Sequence, residues 1–358
     1  GSAYIEERDL PRGEFFALVL FASAGAMWMV QALDLVNVFV SVEVLSVALY
    51  ILAGYARRDR RSEESAVKYF LLGAFASGFL LYGIALVYGA VGIARQQAAM
   101  PISDASFTNL AVMAETLRST AGGEHPLIAS PLFGVGIALI LVGLCFKAAL
   151  VPFHSYAPDV YEGAPAPVTA FMSGVAKIAA FGVLVRFLQA LAIGGERAAA
   201  VSTVLTVVAV ATMVVGNALA VRQRSVKRLL AFSSVAHAGY LLVGVLAGMN
   251  ERIGLFSADA TAFYLFGYVL MNVGAFAIVV WLGANGGEAD DISQYAGLAK
   301  RRPGAAAALT ILLLSLAGVP PSVGFLGKLY VFLAAIQAGL LPLAVIGLLA
   351  SAIGVWYY

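Results

Sequence analysis

The chain has 358 residues, of which 61% are hydrophobic and 12% charged, with a mean hydropathy of +0.92. A soluble domain carries roughly 25% charged residues, so this composition excludes one and assigns the chain to a lipid bilayer. The net charge of +2 does not point to a nucleic-acid partner, and a single cysteine with three histidines excludes disulfides, cysteine-held clusters and paired haem ligation within the chain.

Residues 1–13 lack an initiator Met and a signal pattern and read as the cytoplasmic lead-in of a longer chain, while Val-Trp-Tyr-Tyr stops inside an apolar run, so the second half reads as truncated. Between them, stretches of about 20 apolar residues predict ten membrane spans. In chain order they are 14–31, 35–55, 67–92, 132–150, 165–191, 200–220, 229–248, 261–283, 305–337 and 340–358. Each is apolar on all sides and without the alternation of barrel strands, so the fold class is all-α, a polytopic helix bundle.

The lysines and arginines test this count. With the amino end inside, the inner loops hold Arg8, Arg12, Arg57, Arg58, Arg60, Arg61, Lys68, Arg222, Arg224, Lys227, Arg228, Lys300, Arg301 and Arg302. The outer loops hold only Arg95, Arg118, Arg197 and Arg252, the asymmetry expected across an inner membrane. Asp34, between the first two spans, is either solvated or a cap for the second. Arg186 reads as a snorkelling anchor at a span end, and Gly73 to Gly78 as a close-packing helix face. The loop 290–302 reads as an amphipathic surface segment.

Proline interrupts two spans, at Pro152 in Lys-Ala-Ala-Leu-Val-Pro-Phe-His and at Pro320 and Pro321 in Ala-Gly-Val-Pro-Pro-Ser-Val-Gly-Phe-Leu-Gly-Lys. These are the fourth span and the fourth of the second five. The chain therefore reads as two inverted five-helix repeats, 14–191 and 192–358, each with a broken fourth helix and a lysine beside the break.

An ionisable side chain at the centre of a membrane helix costs roughly 2.5–3.5 kcal/mol on insertion scales and demands a reason. Glu43 and Lys177 lie mid-span, and Lys147 and Lys328 flank the breaks. One carboxylate cannot neutralise three lysines as structural ion pairs, which favours a relay in which burial brings lysine and glutamate into proton exchange near neutrality. His237, following Ser233 and Ser234 and preceding Tyr240, reads either as part of a water chain or as a histidine satisfied by a neighbouring helix. His154, after the first break, reads as a relay or an inner-face residue, and Lys68 as a snorkelling side chain or a residue at the site of proton uptake.

Several stretches resemble the antiporter-like subunits shared by respiratory complex I (NADH:quinone oxidoreductase) and multisubunit sodium/proton antiporters. They are Phe-Val-Ser-Val-Glu-Val-Leu-Ser-Val-Ala-Leu-Tyr (39–50), Val-Lys-Tyr-Phe-Leu-Leu-Gly-Ala-Phe-Ala-Ser-Gly-Phe-Leu-Leu-Tyr-Gly (67–83), Phe-Lys-Ala-Ala-Leu-Val-Pro-Phe-His (146–154), Ala-Pro-Asp-Val-Tyr-Glu-Gly-Ala-Pro-Ala-Pro-Val-Thr-Ala-Phe (157–171) and Leu-Ala-Gly-Val-Pro-Pro-Ser-Val-Gly-Phe-Leu-Gly-Lys (316–328). The 67–83 and 157–171 forms are similar to the N branch rather than its L and M paralogues.

The resemblance implies ten core helices in two inverted repeats, with Glu43 and Lys147 as a modulating ion pair, Lys177 as the central relay, Lys328 as the outlet lysine and Lys68 near uptake. It also implies a proton-translocating subunit of the bacterial inner membrane that carries no cofactor of its own. NADH, flavin, iron–sulfur clusters and quinone then belong to partner subunits, and its contacts are other complex I membrane subunits and the bilayer. The outer loop 93–131 is longer and more polar than the family pattern. The rival expectation is a subunit of a multisubunit sodium/proton antiporter, which shares every charged residue named, although sodium would favour further oxygen ligands beside Glu43.

Overall fold

A computed structural model describes all residues except 1, 9, 101–105, 124, 193–195, 251 and 284–289; the parts of the lead-in and of loop 93–131 in these stretches lie outside the described residues. Among the described residues the secondary structure is helical, with isolated bridges in place of strands.

The helices are α1 (Ser2–Glu7), α2 (Arg12–Gln31), α3 (Leu35–Ala53), α4 (Arg60–Gln97), α5 (Leu110–Thr120), α6 (Pro131–Ala148), α7 (Tyr156–Gly163) and α8 (Ala166–Leu191). They continue with α9 (Glu196–Ala220), α10 (Val226–Ala247), α11 (Gly254–Leu282), α12 (Leu298–Arg301), α13 (Pro303–Ala317), α14 (Val323–Gln337) and α15 (Leu341–Tyr357). Eight of them are long and apolar enough to cross a membrane, and these coincide with the first eight predicted spans. The ninth span is the pair α13 and α14, separated at Pro320 and Pro321, and the tenth is α15.

α4 runs from residue 60, well before the predicted start at 67, because Asp59 caps it by accepting from the Arg61 amide at 2.9 Å and its first turns lie along α7. Within the outer loop the amphipathic α5 buries Leu110, Met113 and Leu117. Asp34 caps α3, accepting from the Val36 amide at 2.8 Å and from the Thr108 hydroxyl. In the segment 290–302, Leu298 is buried and its neighbours are exposed, the amphipathic character expected.

Contacts between loops sort them onto two faces. Residues 34 and 109 pair on one face, and Gln189 reaches the Gly254 carbonyl there. On the other, Ser225 pairs with Asp291, Tyr55 donates to the Pro11 carbonyl, and Ser65 donates to the Val160 carbonyl at 3.1 Å. The second set gathers the loops rich in Arg and Lys, hereafter the basic face. All five pairs join loops or helix ends that the span count places on the same side.

Both breaks use one backbone device. α6 ends at Ala149 and α13 at Gly318, each in the left-handed conformation with its amide bonded back to two carbonyls of the last turn, and a proline follows three residues later. α6 descends towards the basic face and α13 climbs from it, so the broken helices run in opposite directions. α10 packs against α7 and α14, the segments that follow the two breaks, and its 22 residues are almost entirely enclosed by protein. A helix shielded from lipid can carry Ser233, Ser234, His237 and Tyr240, because protein groups satisfy them.

Candidate functional site

Three of the four in-span lysines and arginines are enclosed near the middle of the bundle: Lys147 is 4% exposed, Lys177 2% and Lys328 6%. Among the described residues none of the three has a carboxylate within contact distance. Each is held by neutral oxygen and by an aromatic face, so the three lysines are not ion-paired braces.

Lys147, in the last turn of α6, donates to the Ser46 hydroxyl at 2.6 Å and lies 5.8 and 5.7 Å from the Tyr50 and Tyr69 rings. Ser46 donates in turn to the Val42 carbonyl. Glu43 is half-buried one turn before Ser46 on the same face of α3, near enough for its charge to act on Lys147. The contact ion pair implied by the family resemblance is not formed in this structure. Ser46 occupies the lysine, and one carboxylate oxygen of Glu43, Oε1, is buried without a hydrogen-bond partner.

Lys177, midway along α8, donates to the Ser234 carbonyl at 2.5 Å and faces the Tyr268 ring at 5.6 Å. The Tyr268 hydroxyl donates to Ser234 Oγ at 2.8 Å. One turn along α10, His237 Nδ1 meets the Tyr264 hydroxyl at 2.6 Å and Nε2 the Tyr358 hydroxyl at 3.2 Å, and Tyr358 also hydrogen-bonds Ser233. Both histidine nitrogens thus join a hydroxyl network, in which the tyrosines of neighbouring helices satisfy the imidazole.

Lys328, on α14, donates to the Leu316 and Ala317 carbonyls at 3.0 and 2.9 Å and to Ser351 Oγ at 2.8 Å, with the Tyr240 ring 5.0 Å away. Tyr240 accepts from Asn217 Nδ2 at 2.9 Å, and Asn217 accepts from Tyr357 at 2.9 Å. A cavity of about 280 Å³ opens beside Lys328 between α13, α14 and α15.

Each break has its lysine, but the two lysines sit on opposite sides of their breaks. Lys147 precedes its break and Lys328 follows its own, and the residue seven places after Pro152, as Lys328 is after Pro321, is Asp159. The exposed carbonyls at the end of α6 are met by another group, the Tyr156 hydroxyl, which donates to the Phe146 carbonyl at 3.0 Å.

Asp159 belongs to a charge network on the basic face. It accepts from Lys68 at 3.0 Å and from Arg228 at 2.8 Å, Arg228 also reaches Glu162 at 2.9 Å, and Lys68 reaches Glu64 at 2.6 Å. Partial burial works to raise the Asp159 carboxyl, but donation from Lys68 and Arg228 outweighs it and holds the group below the usual carboxylate range. With Arg61 and Ser65 these residues line a cavity of about 290 Å³. Lys68 is therefore part of a polar mouth rather than a lone snorkelling chain. His154 is half-buried between α6 and α7, with Nδ1 buried and unpartnered, and the structure does not join it to the lysines.

Some of these residues carried no sequence signal. Lys227 reads as an ordinary inner-loop cation but is wholly buried, donating to the Glu162 and Ala164 carbonyls. Tyr264 and Tyr268 lie in an apolar run, and their spacing of four on one helix was the available clue.

The chain matches the family model described as NADH:quinone oxidoreductase/Mrp antiporter, TM, over residues 32–354. It is 42% identical over 355 residues to NADH-quinone oxidoreductase subunit N of Trichlorobacter lovleyi, covering 99% of this chain and 68% of that one. Among solved structures it is similar to a chain of respiratory complex I from Thermus thermophilus with bound aureothin, with a TM-score of 0.77, 36% identity and coverage of 97% and 69%. It is also similar to a chain of the Mrp complex from Dietzia, with a TM-score of 0.76, 29% identity and coverage of 95% and 58%.

Proposed function

We propose, from the premise that the chain belongs to the NADH:quinone oxidoreductase/Mrp antiporter family and to its complex I subunit N branch, that it moves protons across the membrane through Glu43, Lys147, Lys177, His237 and Lys328. The energy comes from quinone reduction in partner subunits, which also hold the NADH, flavin and iron–sulfur sites. The observation that carries this reading is the set of three enclosed lysines without carboxylate contacts, each facing hydroxyls or carbonyls of a neighbouring helix. An amine so placed, with neutral oxygens beside it and no carboxylate locking it in a contact pair, can take up a proton on one side and hand it on at the other.

In this scheme a change at the neighbouring subunit moves Glu43 relative to Lys147. As the Ser46 contact exchanges for the carboxylate, Lys147 takes up a proton; as the contact returns, the proton moves on towards Lys177. From Lys177 the Ser234, Tyr268 and His237 network leads towards Tyr240 and Lys328. Lys68 and the Asp159 network form the mouth on the basic face, where His154 is a further candidate carrier. The matched caps and prolines of the two opposed broken helices support reading 14–191 and 192–358 as inverted repeats. The basic residues support a cytoplasmic basic face and amino end in a bacterial inner membrane. The Mrp likeness keeps a sodium/proton antiporter subunit as the second reading.

Replacing Lys177 by alanine tests the relay. The expected outcome is assembled complex at normal abundance with NADH-driven proton uptake reduced at least on the order of tenfold, the lower scale of general acid–base contributions. Wild-type uptake by an assembled variant would remove Lys177 from the path, and uptake that requires sodium would favour the second reading.

A further inference from the structure

Thr169, Ser173 and Lys177 are spaced by four along α8 and form one stripe, and all three are buried. The stripe starts beside the basic face: α8 begins next to Ala164, whose carbonyl holds Lys227, and the Thr169 hydroxyl donates to the Tyr161 carbonyl at 3.0 Å. Opposite it, α11 runs towards the basic face, so Asn272 lies one turn nearer that face than Tyr268. The rung formed by Ser173 and Asn272 therefore sits roughly 6 Å towards the basic face from the rung formed by Lys177 and Tyr268.

Asn272 is wholly buried and its Nδ2 donates to Ser173 Oγ at 2.7 Å. Ser173 sends its own proton to the Ala170 carbonyl at 2.9 Å, so its oxygen must accept from Asn272 and the amide orientation is determined. The Asn272 carbonyl oxygen is left buried with no protein partner. A buried amide oxygen that no protein group satisfies is a site for ordered water, which holds such atoms through two to four hydrogen bonds.

We infer that Asn272 and Ser173 hold a water molecule that delivers protons from the basic face to Lys177. The amide does not titrate; it orients the water. The water gives a proton to the neutral amine of Lys177 and takes one from the Thr169 side, so the site returns to its starting charge. This deepens the relay reading and rests on it, by naming the group that loads its central lysine.

The test uses the assembled complex in proteoliposomes, with NADH-driven proton uptake measured in H2O and D2O. Asn272→Leu removes both polar atoms and is expected to slow uptake by about tenfold, the scale of one lost hydrogen-bonded partner, and to enlarge the solvent isotope effect as proton delivery becomes limiting. Asn272→Ser restores a hydroxyl with room for water and should recover at least half of the rate. Wild-type uptake in Asn272→Leu overturns the inference, as does equal loss in both variants with an unchanged isotope effect, which marks a packing role. Should Asn272→Leu fail to assemble, Ser173→Ala decides: a slower uptake with a larger isotope effect supports the site, and unchanged uptake refutes it. Impaired Lys177→Ala beside unimpaired Asn272→Leu sinks this inference alone, whereas unimpaired Lys177→Ala sinks the relay.

Discussion

The two broken helices share a backbone and differ in what closes them. At the end of α6 a neutral tyrosine hydroxyl, from Tyr156, meets the exposed Phe146 carbonyl, and Lys147 is left with the single hydroxyl of Ser46. At the end of α13 the ammonium of Lys328 itself meets the Leu316 and Ala317 carbonyls, at the negative end of the helix dipole. One lysine is thus lightly held within reach of a carboxylate, and the other is pinned by the backbone it caps. The same interruption of a membrane helix can leave its lysine lightly held or anchor it on the freed carbonyls, and the side chains alone decide which.

Leucine at each lysine separates these roles most strongly. Lys328→Leu leaves two buried carbonyls without donors, at roughly 1–3 kcal/mol each, so both the abundance of assembled complex and its thermal midpoint should fall along with uptake. Lys147→Leu should spare abundance while abolishing most uptake, since Ser46 retains its own bond to the Val42 carbonyl. Equal abundance in the two variants would dissolve the contrast.

A smaller effect is expected at Glu43. Because its buried Oε1 makes no hydrogen bond, Glu43→Gln should assemble normally yet depress uptake through the lost charge, with Glu43→Asp less harmful because the carboxylate survives, withdrawn by one methylene. Normal uptake in an assembled Glu43→Gln complex refutes the switch, and loss of the complex favours a structural brace, whose disruption costs about 3–5 kcal/mol.

The least effect belongs to the caps. Gly318→Ala adds a Cβ at a φ of 89°, where it meets Lys328 Cδ at 3.1 Å and Nζ at 3.2 Å. It should cost about 1–2 kcal/mol of stability from the left-handed backbone alone. The reciprocal Ala149→Gly, at a φ of 57°, relieves the same strain and should leave the thermal midpoint unchanged or slightly raised. A destabilising Ala149→Gly would show that the α6 cap depends on its methyl group.

The bundle was legible in the sequence because lipid imposes length and apolarity on each span separately; that constraint acts within about 20 residues and needs no knowledge of neighbours. Which loops share a face was legible for a similar reason, since basic residues near each span end mark it locally. Glu43, Lys147, Lys177 and Lys328 stood out because a charge in an apolar run is conspicuous by its cost. Tyr264, Tyr268 and Asn272 did not, because a hydroxyl or amide in such a run reads as ordinary packing until its partner is known.

Composition and span length by themselves determined that this chain is a multi-span helical membrane protein with charges to explain. Only the tertiary structure decided what those charges touch. It put Ser46 rather than Glu43 against Lys147, buried Lys227, brought Asp159 against Lys68 and Arg228, and drew His237 between Tyr264 and Tyr358. The physical reason is that hydrogen bonds act over about 3 Å between residues that can be more than a hundred positions apart, whereas the hydrophobic requirement of a span is summed along the chain itself.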